Sequence, residues 1–207
     1  MSEMPSKSSA PFQVLLMFAI MIATVLLGFY MIPGSDEERA RLLNELGTTN
    51  QGMLLNPVVN IANIELLDDS GESWRWQDHR PKWRMVLKGD SRCEGACGEL
   101  LYLSRQVHIR LGKYSQRFER IYIAEDGPLS AELQANIDAN HPFLKVVYAA
   151  PGAMEAWLTG TNSSASEGVN ELVLVDPSGV GMMIYTMDHT GNQMLEDLNH
   201  LLKYSAE

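Results

Sequence analysis

From residue 83 onward, short apolar runs of strand type alternate with segments of helical periodicity, and this alternation constrains the fold more than any other feature. The strand-like segments are 83–87, 120–125, 144–149 and a pair within 171–188. The helical segments are 97–113, 129–140, 152–160 and 191–207. The resulting order, β-α-β-α-β-α-β-β-α, predicts an α/β domain in which the first strands are parallel and the last pair is antiparallel.

The stretch before this alternating region is less regular. Residues 35–46 predict a short helix, because Ser35 is a suitable N-cap. The turn-rich stretch 47–61 predicts an irregular segment that runs over the domain surface. Apolar residues on both sides of Asp69, Ser70 and Gly71 then predict a β-hairpin.

The N-terminal region contains 19 consecutive uncharged residues, from Val14 to Ile32. At about 1.5 Å per residue, such a helix nearly spans the hydrocarbon core of a bilayer, about 30 Å thick. A cleaved signal peptide is the alternative, but it has a shorter apolar stretch and a small-residue cleavage site, which this sequence lacks. We therefore predict an uncleaved signal anchor. The predicted parts of the chain are an N-terminal tail at 1–11, a transmembrane anchor at 12–33, a linker with a short helix at 34–59 and a domain at 60–207.

The side of the membrane on which the domain lies is predicted from two observations. Lys7 and the N-terminus precede the apolar segment, and charges of both signs follow it, so the positive-inside rule favours export weakly. A first apolar segment followed by a globular domain usually exports that domain. We therefore expect a single-pass protein of the inner or plasma membrane, with its domain in the periplasm or an equivalent compartment, where cysteine pairs tend to oxidise.

The charge balance excludes one large class of partner. The chain has 26 acidic and 16 basic side chains, which give a formal net charge of -10. Binding to nucleic acid needs clustered lysine and arginine opposite the phosphates, so we expect no nucleic-acid partner. The sequence also has no phosphate-binding glycine loop, no HExxH motif and no arrangement of serine, histidine and aspartate that suggests acyl transfer.

The chain has two cysteines, Cys93 and Cys97, between the first strand of the alternating region and its first long helix. Cys93 falls in the turn and Cys97 in the first helical turn, and at this spacing their sulfurs can converge. The unpaired N–H groups and the positive dipole end of the helix favour the thiolate. Arg92 and Lys88 favour it as well, whereas Glu94 opposes it.

Four interpretations of this pair are open: a redox pair, a metal clip, a structural staple or a coincidence. A disulfide between the two closes a very small loop and adds little stability by constraining the unfolded chain, which weighs against a staple. Convergent thiolates suit either thiol–disulfide exchange or a soft ion such as Cu(I). We identify Cys93 and Cys97 as candidate catalytic residues of a thiol–disulfide oxidoreductase and as candidate copper ligands. Cys93, which we expect to be the more exposed, is the candidate attacking thiol.

The order of these elements resembles that of the Sco/SenC family of thioredoxin-like proteins. It consists of one anchor, a strand, a Cys-x-x-x-Cys sequence that opens a helix, and then β-α-β, a β-hairpin and a final helix. Residues 64–97 are similar to that family's hairpin, strand and cysteine loop, and residues 172–185 to its late strand–turn–strand. The three-residue spacing of the cysteines is the most specific element, since ordinary thioredoxins have two. The resemblance, over residues 60–205, implies a central mixed sheet flanked by helices, with an N-terminal hairpin. It also implies a copper-binding, redox-active protein that helps to metallate the binuclear copper centre of cytochrome c oxidase subunit II.

The sequence departs from this family at one copper ligand. The resemblance implies a histidine in the loop before the late strand pair, and the corresponding position falls near Gly168. His189 and His79 are the alternatives, but His189 follows the strand pair, and we interpret it as a solvated turn residue. His108 is expected on the helix surface. The five histidines of the chain are His79, His108, His141, His189 and His200.

A second departure concerns the cis-proline that thioredoxins place before the strand facing their cysteines. Residues 168–175 contain no proline. Three hypotheses therefore stand side by side: thiol–disulfide exchange in the biogenesis of the cytochrome c oxidase copper centre, transient Cu(I) carriage by the same pair, and a non-catalytic docking module. In each of them the expected partner is a subunit of the oxidase or one of its assembly factors.

Overall fold

A computed structural model describes residues 10–31 and 50–205 of the chain. The chain divides into two compact units, Met1–Thr49 and Asn50–Glu207. The second unit contains the sheet, the helices that cover it, a hydrophobic core on each face of the sheet and both cysteines.

The first unit contains one long apolar helix, α1 (Ala10–Met31). Within it, the stretch Phe12–Tyr30 is long and apolar enough to cross a membrane. This helix agrees in length and composition with the predicted anchor. The short helix predicted at 35–46 lies outside the described residues.

The second unit is built around one mixed sheet with the strand order β1-β8-β7-β4-β5-β6-β2-β3. Its strands are β1 (Met53–Asn60), β2 (Leu66–Leu67), β3 (Ser73–Trp74), β4 (Trp83–Gly89), β5 (Phe118–Ala124), β6 (Leu144–Tyr148), β7 (Leu172–Val175) and β8 (Val180–Tyr185). Strands β4, β5 and β6 are parallel, and the other neighbours are antiparallel. The predicted α/β fold, with an N-terminal hairpin and a late antiparallel pair, is therefore confirmed.

Helices cover both faces of this sheet. They are α2 (Ala96–Arg110), α3 (Ala131–Asn140), α4 (Ala153–Leu158) and α5 (Gly191–Tyr204). Buried apolar side chains of α2, α3 and α5 pack against one face, and those of α4 and the β2–β3 hairpin pack against the other. The cysteines belong to the first of these two cores.

Side-chain caps explain where two of these helices begin. The Ser130 side chain accepts a hydrogen bond from the Leu133 N–H at the start of α3. Thr190 and Gln193 form a capping box at the start of α5, in which each side chain bonds the backbone of the other. Such caps satisfy N–H groups that have no partner inside the helix.

The segment at 47–61, which we expected to be irregular, contains an edge strand instead. Strand β1 pairs with β8 in antiparallel fashion, with Met53 opposite Ile184. A bulge interrupts this pairing around Pro57, which is tolerated at a sheet edge because proline has no N–H to donate. Part of the predicted linker at 34–59 therefore belongs to the sheet.

Candidate functional site

Cys93 and Cys97 lie where β4 ends and α2 begins. Their sulfurs form a disulfide with an S–S distance of 2.01 Å and a Cα–Cα distance of 5.0 Å. Cys93 lies in the connecting turn with a φ of +50°, and Gly95, with a φ of +59°, is the N-cap of α2. Cys97 therefore occupies the first turn of the helix, as the sequence predicts.

The disulfide is buried. Cys93 keeps 6% and Cys97 keeps 4% of its surface exposed. Cys93, which we expected to be the more exposed of the two, is so by two percentage points, and this small difference does not by itself identify the attacking thiol. Little of either cysteine is therefore accessible to a partner thiol or a metal ion in this conformation.

Asp90 organises the turn that carries Cys93. Its Oδ1 accepts hydrogen bonds from the backbone N–H groups of Cys93, at 2.7 Å, and Arg92, at 2.8 Å. The bond from Cys93 and then the bond from Arg92 hold the pKa of Asp90 below its usual value. The N–H groups that precede α2 therefore bind a carboxylate, whereas the sequence analysis expected such groups to favour a thiolate.

Tyr122, on β5, contacts the turn from the sheet. Its hydroxyl donates to the backbone carbonyl of Asp90 at 2.5 Å and lies 3.8 Å from Sγ of Cys97. Burial raises the pKa of the Tyr122 hydroxyl above its usual range, and the carboxylates of Asp90 and Asp126 raise it further. The hydroxyl therefore stays protonated, and its one proton is donated to the Asp90 carbonyl. After reduction of the disulfide, the hydroxyl can donate to a Cys97 thiolate by turning from that carbonyl towards the sulfur 3.8 Å away.

The two cations expected to stabilise a thiolate are paired with carboxylates. Nζ of Lys88 contacts Glu155 and lies 3.7 Å from Glu125. Glu155 belongs to α4, on the sheet face opposite α2, so the charge of Lys88 is directed away from the cysteines. Nη1 of Arg92 lies 3.9 Å from Oε1 of Glu94, and both side chains are exposed, so solvent screens this ion pair.

The two cysteine sulfurs are the candidate donors for a metal ion. Among residues 10–31 and 50–205, no group of three or more histidine, cysteine, aspartate or glutamate side chains is arranged to hold a metal ion. Gly168, where the resemblance implies a histidine, is an exposed residue with a φ of +79° that ends a 3-10 turn. The ring of His79 stacks on Trp74, with centroids 4.7 Å apart.

Two histidines differ from their predicted environments. His189 is half-buried, not solvated, because its Nδ1 accepts the Thr186 N–H at 3.0 Å and its ring packs edge-on against Tyr185. His108 is not a surface residue either. It is half-buried, with its ring edge-on to Phe118, and it lines a cavity at the end of α2 remote from the cysteines. Helical spacing placed His108 outside the apolar stripe but did not show that β5 packs beside it.

Asp90, Tyr122 and Gly89 are site residues that the sequence analysis did not single out. An aspartate three residues before Cys93 is a signal for a side-chain-capped turn, and this signal could have found Asp90. A glycine at the end of a strand indicates that another group approaches the backbone closely. A Cβ atom on Gly89 would lie 2.0 Å from the hydroxyl oxygen of Tyr122.

Residues 83–205, from the first residue of β4 to the end of α5, match the protein family described as "Transmembrane-like, thioredoxin-like, C-terminal domain". This match covers more than half of the chain and includes both cysteines. The chain belongs to this family. No curated protein sequence matches this transmembrane-like, thioredoxin-like protein.

Solved Sco structures have a fold similar to that of this transmembrane-like, thioredoxin-like protein. Yeast Sco1 with copper bound has a TM-score of 0.55 and 16% identity, over 77% of this chain and 97% of that chain. Arabidopsis thaliana ScoI with copper bound has a TM-score of 0.54 and 14% identity, over 69% of this chain and 97% of that chain. Apo Sco1 from Thermus thermophilus has a TM-score of 0.54 and 18% identity, over 75% of this chain and 99% of that chain. The resemblance to Sco/SenC proteins is therefore confirmed for the fold.

Proposed function

We propose that this protein is a membrane-anchored thiol–disulfide exchange factor that acts through Cys93 and Cys97 in the biogenesis of the copper centre of cytochrome c oxidase. The observation that carries the proposal is the disulfide at the start of α2, beside the hydroxyl of Tyr122. The likeness of the fold to Sco proteins solved with copper bound supports the link to copper delivery. The expected partner is a subunit of the oxidase or one of its assembly factors.

The exchange reaction transfers two electrons from the reduced pair to a partner disulfide. The Cys93 thiolate attacks one partner sulfur, which forms a mixed disulfide and releases the other partner sulfur as a thiolate. The Cys97 thiolate then attacks Cys93, which closes the internal disulfide and releases the second partner thiolate. The reaction returns a partner with two reduced cysteines, the state in which it can accept copper.

The position of Cys97 supports its assignment as the inner sulfur of this exchange. It lies in the first turn of α2, where the helix dipole favours negative charge, and the Tyr122 hydroxyl lies 3.8 Å from its sulfur. Both features favour Cys97 as the leaving thiolate when an outside thiol attacks Cys93. The leaving sulfur with the lower pKa departs faster.

The proposed location is the exported side of the inner or plasma membrane. Helix α1 has the length and composition of a single membrane span. The disulfide suits an oxidising compartment such as the periplasm. Fusion of a reporter enzyme that is active on one side of the membrane tests this orientation.

A second candidate function is transient carriage of Cu(I) as cargo, which the likeness to copper-bound Sco structures favours. After reduction, the two thiolates are soft ligands that can hold Cu(I) in a two-coordinate site. A third ligand from a partner protein would complete the coordination. A third candidate, the docking module, needs neither cysteine.

A trapping experiment tests the proposal. Purified Cys97→Ser keeps Cys93 as the attacking thiol, so it should form a stable mixed disulfide with a peptide that carries a partner-like disulfide. The matched variant Cys93→Ser should form at least tenfold less. Equal trapping by both variants, or none by either, would contradict the assigned roles.

Two further measurements separate the other candidates. Titration of the reduced chain with Cu(I) against a competing chelator detects a carrier, and copper binding no stronger than that of the Cys93→Ser, Cys97→Ser double variant removes this function. Normal oxidase assembly in cells that contain only the double variant would leave the docking module as the remaining function.

A further inference from the structure

A cavity of about 750 Å³ opens at the end of α2 that is remote from the cysteines. Arg105 and His108 of α2, Arg120 of β5 and Phe143 are among the residues that line it. Arg105 follows Cys97 by eight positions in the helix, a distance of about 12 Å along the axis. The cavity is therefore separate from the disulfide, and no step of the exchange reaction uses it.

This cavity is basic although the chain as a whole is acidic. Its basic lining residues are Arg80, Lys82, Arg105, Arg117 and Arg120. Among residues 50–205, Glu119 is the one acidic residue of the lining, and its carboxylate lies 2.7 Å from Nε of Arg84 and 4.0 Å from Nζ of Lys82. This carboxylate is therefore engaged with Arg84 and with Lys82, and neither Arg105 nor Arg120 is in a salt bridge with it.

Arg120 is buried without a counter-charge. It is 2% exposed, its Nε donates to Nδ1 of His108 at 3.3 Å, and one Nη donates to the Pro142 carbonyl at 3.1 Å. The other Nη lies 3.4 Å from Nδ1 of His141. Among residues 50–205, no carboxylate lies within salt-bridge distance of this guanidinium. A buried charge with neutral partners is costly, and an anion would remove this cost.

Arg105 adds a second uncompensated charge. Its Nε is buried and has no hydrogen-bond partner among the described residues. Burial, followed by the charge of Arg105, lowers the pKa of Arg120 to about 10, so the Arg120 guanidinium is charged at neutral pH. Burial, followed by the charge of Arg120, also lowers the pKa of His141 to about 4, so that imidazole is neutral. Two like charges face this cavity together, and their repulsion destabilises the empty site.

We propose that this cavity binds a phosphate monoester, with the phosphate group between Arg105 and Arg120. The planar guanidinium fork matches the oxygens of phosphate and forms short charge-assisted hydrogen bonds with them. A phosphate monoester carries up to two negative charges and so neutralises both arginines, whereas a carboxylate neutralises one. The unpartnered Nε of Arg105 is the donor that such an anion would satisfy.

The rim of the cavity indicates that the ligand has an apolar organic part. Phe143 is 84% exposed and Ile109 is 62% exposed. Phe143 also has a φ of +66°, an uncommon backbone conformation for a bulky residue. The cavity volume falls in the range of small-molecule sites, about 300–1,000 Å³, and exceeds the size of a bare phosphate ion.

Calorimetric titration of the full chain in an uncharged detergent tests this site, with inorganic phosphate and phenyl phosphate as probes. Sodium chloride keeps the ionic strength constant, so that screening does not imitate binding. Both probes should bind, and phenyl phosphate should bind about two- to tenfold more tightly because its ring can contact Phe143. Arg105→Gln should weaken both affinities at least tenfold, since it removes a charged donor.

Arg110→Gln is the matched control, because Arg110 lies on the same helix, is exposed and bonds Asn192 outside the cavity. Its affinity for both probes should stay within twofold of the wild-type value. In phosphate-free buffer Arg105→Gln should melt at a higher temperature than the wild type, because it relieves the repulsion with Arg120. Any one of three results would overturn the proposal. They are lack of probe binding by the wild type, equal probe affinities of the wild type and Arg105→Gln, and a lower melting temperature of Arg105→Gln.

The phosphate monoester has two sources, a soluble metabolite or an anionic lipid headgroup. Nanodiscs of phosphatidylcholine with and without phosphatidic acid distinguish them. If phosphatidic acid in the nanodisc weakens the binding of phenyl phosphate at least fivefold, the ligand is a lipid headgroup. If the binding of phenyl phosphate is unchanged, the ligand is a soluble ester. The Cys93→Ser, Cys97→Ser double variant should bind both probes like the wild type, so this site and the exchange function fail independently.

Discussion

Gly89 is the residue on which the packing beneath the cysteine turn depends most directly. It ends β4, and a Cβ atom there would lie 2.0 Å from the hydroxyl oxygen of Tyr122 and 2.6 Å from Cζ of its ring. Ordinary van der Waals contact begins near 3.4 Å, so in Gly89→Ala the hydroxyl would have to retreat by about 1.4 Å. The Tyr122 ring is fully buried and has little room for this movement.

The expected cost of Gly89→Ala combines two effects. Overpacking of a buried site costs about 1–3 kcal/mol. Loss of the hydrogen bond from Tyr122 to the Asp90 carbonyl costs about 1 kcal/mol more. We therefore expect the free energy of unfolding to fall by about 2–4 kcal/mol, a large part of the stability of a typical domain.

Urea unfolding of residues 50–207, followed by circular dichroism, measures this change. Gly191→Ala is the matched control, because it adds the same methyl group 3.0 Å from the flexible end of the Leu103 side chain. This control should change the free energy of unfolding by less than about 1 kcal/mol. A Gly89→Ala protein as stable as the control would refute the close packing of Tyr122 beneath the turn.

Three further predictions concern the same unit. Tyr122→Phe removes the hydroxyl beside Cys97, so the pKa of the Cys97 thiol in the reduced protein should rise, as measured by alkylation rates against pH. An unchanged pKa would show that the hydroxyl does not stabilise the thiolate. The pKa of His141 is lowered from 6.5 to about 4, so the unfolded chain takes up a proton before the folded chain does as the pH falls. The free energy of unfolding should therefore decrease as the pH is lowered from 6.5 to 4. His141→Gln should flatten this dependence in urea titrations, and an equally steep dependence would argue against a buried neutral imidazole. The pKa of Asp90 is lowered below 3.8, so its carboxylate stabilises the fold above that pH and loses this effect as the pH falls. Asp90→Asn should therefore lower the melting temperature more at pH 7 than at pH 3. Equal losses of melting temperature at both pH values would contradict this role.

The sequence predicts the parts of this fold that local periodicity determines. Strands β4 and β5 are short apolar runs and helix α2 has an apolar pattern of period 3.6, and the structure places them where these patterns predict. The position of Cys93 in a turn and of Cys97 in the first helical turn follows from the same patterns. Local sequence is sufficient here because β4 and β5 bury apolar side chains on both faces of the sheet and α2 buries one face against it.

Features that depend on distant partners are the ones that the sequence analysis misses. Strand β1 lies in a turn-rich segment around Pro57 and is a strand because β8, more than a hundred residues later, pairs with it. His108 is half-buried because β5 and Phe143 lie beside it, which no helical period can show. Tyr122 reaches the cysteine turn because Gly89, on the neighbouring strand, has no side chain. In each case the decisive contact joins residues from different elements of the chain.

The reduction potential of the Cys93–Cys97 disulfide in the full chain tests the proposed exchange function most directly. Equilibration with dithiothreitol and glutathione buffers, followed by alkylation of the thiols, measures it. A pair that exchanges with partner thiols should have a potential between about -270 and -120 mV, the range of thiol–disulfide oxidoreductases. A potential below about -300 mV, typical of structural disulfides, would contradict the account and identify the pair as a staple.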